Sequence, residues 1–318
     1  MYIRLQTYGP RAVPSSSDII LHHFDASPFS EKIRIIFGYK KIAWKSCLIS
    51  RIMPRPDLMP LTGGYRRTPV MQIGADIFCD TQIIIRELEA RFPEPTLFPG
   101  GNAGVPWALG MWTDRPFFQN TVGLVFGSLG DKVPQDFIDD RSKLRGAKFD
   151  IAAMTAAIPQ MRDQFRANVD WIEAQLSDGR KFLLGEFSLA DVNAYMNVWY
   201  TRQSMPEIAD ILGHFPLTSA WEKRVQAFGH GSRSEISTKD ALEIGTRSTP
   251  HATTAADPND PNGRKPGDVV SVHSDDAWKT DIRGEIVSLS AQHIAIRRSD
   301  DRAGDVVVHF PRAGFTIS

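Results

Sequence analysis

What most constrains this chain is a change of period near its start. "IILHHF" is a short apolar run of strand character, and "SPFSEKIRIIFGYK" behind it sets Phe29, Ile33, Ile36 and Phe37 on one helical face. "IAWKSCLIS" returns to strand character, and the passage from Met53 to Pro60 is too broken by proline to hold a long helix. "TPVMQI" and "IFCD", separated by Gly74-Ala75-Asp76, read as a hairpin, and "TQIIIRELEARF" continues as a helix until Pro93 stops it.

Strand, helix, strand, broken helix, two strands and helix is the order of a thioredoxin-like α/β domain, expected over 18–97. Residues 1–17, ending in Pro14 and three serines, are expected to be a flexible leader. Beyond the Pro- and Gly-rich joint at 93–104 the pattern turns helical, and 98–245 is expected to be an all-helical domain. In it Met161, Phe165, Val169, Ile172 and Leu176 recur at helical spacing before Gly179. In "FSLADVNAYMNVWY", Ser188 caps a helix, Asp191 reaches back to the cap's amide, and Leu189, Val192, Met196 and Trp199 form its buried stripe.

The stretch 246–266 is too polar and too rich in Pro, Ser, Thr and Asp to fold, and reads as a linker. From 267 to 318, "DVVSVH", "IRGEIVSL", "HIAIRR", "DVVVHF" and "GFTIS" alternate apolar and polar residues, which predicts a small antiparallel β-barrel. Its core is too thin to stand alone, so it is expected to dock on the helical domain or on a second subunit.

Composition narrows the function. Thirty-seven basic side chains balance thirty-seven acidic ones, and from Lys265 onward seven Lys/Arg stand against eight Asp/Glu. No field draws this chain to nucleic acid or to an anionic membrane. No apolar run approaches the ~20 residues that span a bilayer, and the start carries no signal-peptide pattern, so a cytoplasmic location is expected. Cys47 and Cys79 form neither a C-x-x-C unit nor a disulfide framework and read as buried small apolar residues. His22 and His23 point to opposite faces of a strand and cannot share a metal; no metal site is expected. No metalloprotease, hydrolase-elbow or phosphate-loop motif is present.

Taken in this order and spacing, "SPFS", "RRTPV", "CDTQII" and "SLADV" resemble a cytosolic glutathione S-transferase of the serine type over roughly Asp18 to Ile244. The last seventy or so residues lie outside that pattern. The resemblance implies glutathione as cosubstrate, a small hydrophobic electrophile and a homodimer. It places Ser27 as the catalytic hydrogen-bond donor to the glutathione sulfur, aided by the amides near Phe29 and Ser30; Ser30 is the alternative donor. Read alone, Ser27 is simply a helix cap with Pro28 behind it. Thr68, before a cis Pro69, would pair its backbone with the cysteinyl unit, and Arg67 would meet the glycine carboxylate. Asp80 and Thr81 stand where relatives carry Glu-Ser and would take the γ-glutamyl end; both also fit a plain helix cap. Trp107, Met111, Trp112, Phe117 and Phe118 are the candidate wall for the electrophile. Serine at position 27 favours conjugation over disulfide exchange, since a hydroxyl forms no mixed disulfide. The alternative is a glutathione-binding, non-catalytic protein whose C-terminal β module recruits a protein partner.

Overall fold

The computed structural model describes residues 19–275 and 281–318; the expected leader, 1–17, lies outside them. β1 (Ile19–His23) and β2 (Ala43–Leu48) pair in parallel, joined by α1 (Pro28–Tyr39). After the short α2 (Leu58–Thr62), β3 (Val70–Ile73) runs antiparallel to β1, and β4 (Asp76–Cys79) folds back on β3. Gly74 makes the reversal at φ 59°, a left-handed value that glycine adopts without a Cβ penalty. α3 (Thr81–Arg91) completes the thioredoxin-like domain.

The helical domain follows as α4 (Gly104–Trp112), a π-helical turn at Thr113–Phe117, and α5 (Phe118–Leu129). Then come α6 (Gln135–Arg145), α7 (Ile151–Ala156), α8 (Ile158–Leu176), α9 (Leu189–Ser204), α10 (Ala209–Leu212) and α11 (Pro216–Gln226). α9 is the buried axis of this domain, packed on α1, α4, α5 and α11. Its start is built as the sequence implies: the Ser188 amide donates to Asp191 Oδ2 at 3.0 Å, and Oδ1 accepts from Leu183 N and Trp221 Nε1, both at 2.8 Å.

Residues 232–235, placed with the helices by pattern, form a strand instead. β5 (Ser232–Glu235) lies parallel on β2, and α12 (Thr238–Arg247) follows it. The four polar residues of β5 are all exposed, so no apolar alternation announces them. Main-chain pairing places them at the sheet edge, and the close approach of Gly231 to Ile42 O leaves no room for a side chain.

The C-terminal strands are β6 (Val269–Ser274), β7 (Ile282–Ser290), β8 (His293–Asp300), β9 (Gly304–Pro311) and β10 (Phe315–Ile317). They continue the first sheet, which becomes ten strands in the order β10-β6-β7-β8-β9-β4-β3-β1-β2-β5. β9 runs parallel to β4, with Asp76 opposite Val307 and Phe78 opposite His309. The docking expectation is therefore corrected: within this chain the module's main seat is the thioredoxin-like domain, and it meets the helical region only at its margin, through the Arg115–Asp275 pair and α12. Its core is shared, because Leu58, Leu61, Tyr65 and Ile77 pack in one cluster with Val272, Ile286, Ile296 and Phe310. That sharing supplies the apolar burial that some fifty residues lack by themselves.

A buried polar chain locks the seam. His293 Nε2 lies 3.0 Å from His309 Nδ1, His309 Nε2 lies 2.9 Å from Asp76 Oδ1, and Asp76 Oδ2 accepts from His251 N at 2.6 Å. Stretch 246–266 beyond α12 has no helix or strand of its own. It is held by that His251 contact, by one bridge from Ala255 to Ser288, and by an ion pair of Asp260 with Arg312 at 3.0 Å.

Candidate functional site between the two domains

The first strand ends in the turn 24–26, and α1 begins at Ser27. Ser27 has extended dihedrals, and its Oγ accepts from Ser30 N at 3.2 Å, so it is a helix cap in fact. Pro28 occupies the first helical position, where its missing N–H costs nothing. Arg34, only 2 % exposed, fixes the turn that presents this start. Its guanidinium donates to Asp25 O at 2.8 Å and to the Glu31 carboxylate at 2.7 Å. The neighbouring His23 is held neutral, its pKa lowered to about 3, by burial first and by the Arg34 charge second.

The turn before β3 brings the second set of groups. The Thr68–Pro69 peptide is cis, as the resemblance implies. Arg55 holds this turn from behind, donating to Arg66 O at 2.6 Å and to Thr68 Oγ1 at 3.1 Å. The third set is the start of α3. Asp80 caps it by accepting from Gln82 N at 2.9 Å, and its φ of 92° is a left-handed conformation rare outside glycine. Such strain gathers at ligand sites. Burial raises the pKa of Asp80, and Asp114 adds to the rise while Arg67 and Lys32 oppose it.

One member of each of the first two sets, Phe29 of α1 and Arg67 of the turn, joins the start of α3 in an interdomain cleft of about 760 Å³, part of it open to solvent. Of the residues expected from sequence, Phe29, Arg67, Asp80, Thr81, Trp107 and Met111 line it. One wall is apolar, from α4, while the floor carries charges of both signs. Lys32 Nζ is 2.6 Å from Asp114 Oδ1, and Arg115 Nη2 is 3.1 Å from Asp275 Oδ1. A cleft of this kind suits a zwitterion with an apolar group attached.

Other expected residues stand elsewhere. Ser27 is 3 % exposed, Ser30 is fully buried with its Oγ lacking any hydrogen-bond partner, and neither lines the cleft. Thr68 and Pro69 do not line it. Trp112 turns into the helical domain, stacked on Phe117 at 5.4 Å and donating to Asn168 Oδ1 at 2.7 Å. Phe117 is core. Phe118 meets Phe29 edge-on at 4.8 Å and so backs the cleft from one step away. Cys47 and Cys79 are buried, and burial pushes the Cys47 thiol up to about 12 and that of Cys79 well above its ordinary value. Neither is a thiolate nucleophile.

Sequence reasoning missed Lys32, Asp114, Arg115 and Asp275. For Lys32 a signal existed: it falls three residues after Phe29, a charge on the apolar side of α1, where a buried lysine needs a carboxylate partner. For Asp275 none existed, because only the docking of β6 brings it to the cleft.

The family model for the glutathione S-transferase N-terminal domain matches residues 21–96, and that for the C-terminal domain matches 155–224. A GST-like protein from Pseudomonas syringae is 37 % identical in structure-based comparison, with a TM-score of 0.78, covering 95 % of this chain and 99 % of its own. FzlA from C. crescentus is 25 % identical with a TM-score of 0.50, covering 66 % of this chain and 92 % of its own. A glutathione S-transferase from Methylobacillus flagellatus KT, solved with glutathione bound, shares the fold at 18 % identity and a TM-score of 0.50; it covers 68 % of this chain and all of its own. About a third of this chain thus has no counterpart in the last two. No curated protein matches the sequence.

Proposed function

Because the chain belongs to the glutathione S-transferase family, we propose that its interdomain cleft binds glutathione and activates the thiol for addition to a small hydrophobic electrophile. The observation that carries the proposal is the convergence of Arg67, the Asp80-Thr81 helix start and the Trp107–Met111 wall on one cleft. In this reading Arg67 meets the glycine carboxylate in the planar geometry a guanidinium favours, and Thr81 with the α3 amides receives the γ-glutamyl carboxylate. Asp80 faces the ammonium. The Thr68 backbone pairs with the cysteinyl unit.

The sulfur belongs at the α1 start. A free thiol of pKa about 8.5 is mostly protonated at neutral pH, and the helix N-terminus lowers that value by favouring negative charge. Ser27 Oγ accepts only one bond, from Ser30 N, which leaves its O–H to donate to the thiolate. The thiol proton passes to solvent and the thiolate forms a C–S bond with the electrophile, either displacing a leaving group that departs with its electron pair or adding to an activated double bond whose displaced electron pair then takes up a proton from water. Trp107 and Met111 supply the electrophile's apolar surface. Homodimerisation and a cytoplasmic location belong to the same proposal. Sedimentation velocity tests the former, and cell fractionation the latter.

The second reading, a protein that binds glutathione without catalysis and uses its C-terminal module to recruit a protein partner, is favoured by one observation: Ser27 and Ser30 lie outside the cleft lining. Ultraviolet difference spectra of bound glutathione separate the two. A thiolate band at neutral pH that disappears in Ser27→Ala supports the enzyme. Bound glutathione without the band supports the binding protein.

A further inference from the structure

We infer that the junction between the 50–55 loop and α6 is a second anion site, separate from the cleft, where Arg51, Arg55, Arg66 and Arg141 hold a small oxyanion. That oxyanion is either free phosphate or the carboxylate of an organic molecule. The inference goes beyond the glutathione reading and does not depend on it.

Four guanidinium groups stand here around one carboxylate. Asp140 of α6 is already spent: its Oδ1 accepts from Arg66 Nη2 at 2.6 Å and from Met53 N at 3.0 Å, and its Oδ2 accepts from Arg141 Nη1 at 2.7 Å. Arg55, only 6 % exposed, has no carboxylate partner among the described residues. It donates to the carbonyls of Ser50 at 2.8 Å, Arg66 at 2.6 Å and Arg51 at 3.3 Å, and to Thr68 Oγ1 at 3.1 Å. Arg141 adds a bond from Nη2 to Arg51 O at 3.1 Å. The Arg51 side chain is exposed and donates to no described residue. Its guanidinium lies 5.2 Å from the centre of the Phe137 ring, and that of Arg141 lies 4.4 Å from the same centre. None of these residues lines the cleft.

A buried guanidinium without a counter-ion is costly, and carbonyl dipoles offset only part of that cost. The charges also press on one another: the pKa of Arg55 is lowered to about 10, by burial first and then by Arg141 and Arg66, with Asp140 opposing. An anion set among these groups removes the repulsion and gains charge-assisted hydrogen bonds. Arg51 is the open position, because its N–H groups are unspent while the Phe137 ring supports its plane. The same field reaches Tyr200 of α9, whose hydroxyl donates to no described residue. Burial pushes that hydroxyl up to about 12 against the pull of Arg51 and Arg141, so it stays a neutral O–H donor. Arg51, Arg55 and Arg66 come from the thioredoxin-like domain, and Arg141 and Tyr200 from the helical one. A bound oxyanion therefore ties the two domains together and stabilises the folded chain.

The test is a circular-dichroism melt of the full chain at neutral pH, in phosphate and in chloride of equal ionic strength. In about 20 mM phosphate the wild type is expected to melt about 3 °C above its value in chloride, and Arg51→Gln less than about 1 °C above. Phosphate excluded from the protein surface also stabilises, but equally in both chains, so the difference between them is the readout. Benzoate and benzamide, compared by saturation-transfer NMR, separate the two sources. Benzoate bound by the wild type, lost in Arg51→Gln and unmatched by benzamide, identifies an organic carboxylate; a response to phosphate alone identifies the free anion. No preference for phosphate over chloride or for benzoate over benzamide, or an equal preference in Arg51→Gln, overturns the inference. So does loss of the phosphate effect in saturating glutathione, which would assign the four arginines to the tripeptide itself.

Discussion

The two halves of the ten-stranded sheet are built from different sequence patterns. β1, β3 and β4 are buried at every position, whereas β6 alternates between exposed and covered residues. Strands covered on both faces read as continuous apolar runs, and strands with one wet face alternate. β7 and β8 each carry four consecutive buried residues, and β9 goes furthest: its last six, from Val306 to Pro311, are all buried. It is also the strand that meets β4. The strand that docks is thus the one with the longest buried run, and the seam is visible in "VVVHFP" once that is the question asked.

The comparison says that two unlike halves share one core, and the largest effect should come from cutting that core. Phe310 is fully buried between Tyr65 and Phe315. Phe310→Ala is expected to cost about 3–5 kcal/mol. In urea, far-ultraviolet circular dichroism and tryptophan fluorescence should still trace a single transition at lower midpoint. Six of the seven tryptophans precede the module, so a module that melts independently would separate the two curves and refute the shared core.

A smaller effect separates the halves by pH. His22 and His23 in β1 are kept neutral chiefly by burial, with pKa values lowered to about 4 and about 3. The unfolded chain binds their protons near pH 6.5, so their stabilisation is complete above that value and declines as pH falls through the folded values. At the seam the sign is the same but the window lower. Burial alone would raise the Asp76 carboxyl, yet the His309 bond and charge, with the His251 amide, bring it below its ordinary 3.8. Its contribution is present above that value and is lost as pH falls through the lower folded one. His22→Gln should therefore reduce the slope of stability between pH 6.5 and 4 by about 1.4 kcal/mol per pH unit, and Asp76→Asn should leave that slope unchanged. The reverse pattern in urea titrations would show that acid opens the seam first.

The smallest effect concerns the Arg115–Asp275 pair, whose side chains are 49 % and 41 % exposed. Arg115→Ala should change unfolding free energy by less than about 1 kcal/mol, because water and salt screen such a pair. A loss of several kcal/mol would mean that this contact, and not the apolar core, joins the module to the helical domain.

Much of this was legible in the residues. The thioredoxin-like order, the caps at Ser27 and Asp80, and the box at Ser188 and Asp191 follow from local rules, and local rules act wherever the chain goes; the cis peptide before Pro69 comes only from the family resemblance. What escaped is non-local. β5 has no apolar signal because an edge strand held by its main chain needs none. The docking side of the module depends on burial of Val306 and Phe310 against Tyr65, which no window of sequence contains. Lys32 and Asp275 reach the cleft only when α1, β6 and the helical domain come together. Trp112 reads from sequence as part of the electrophile wall, whereas it is partly buried and turned into the helical domain, since its periodicity serves either face of α4.

The most direct measurement is a crystal structure of the full chain grown with glutathione. The account predicts the tripeptide in the interdomain cleft, its glycine carboxylate on Arg67, its γ-glutamyl end at Asp80 and Thr81, and its sulfur at the α1 start beside Ser27. Glutathione seated elsewhere, or a cleft still empty at millimolar ligand, would contradict it.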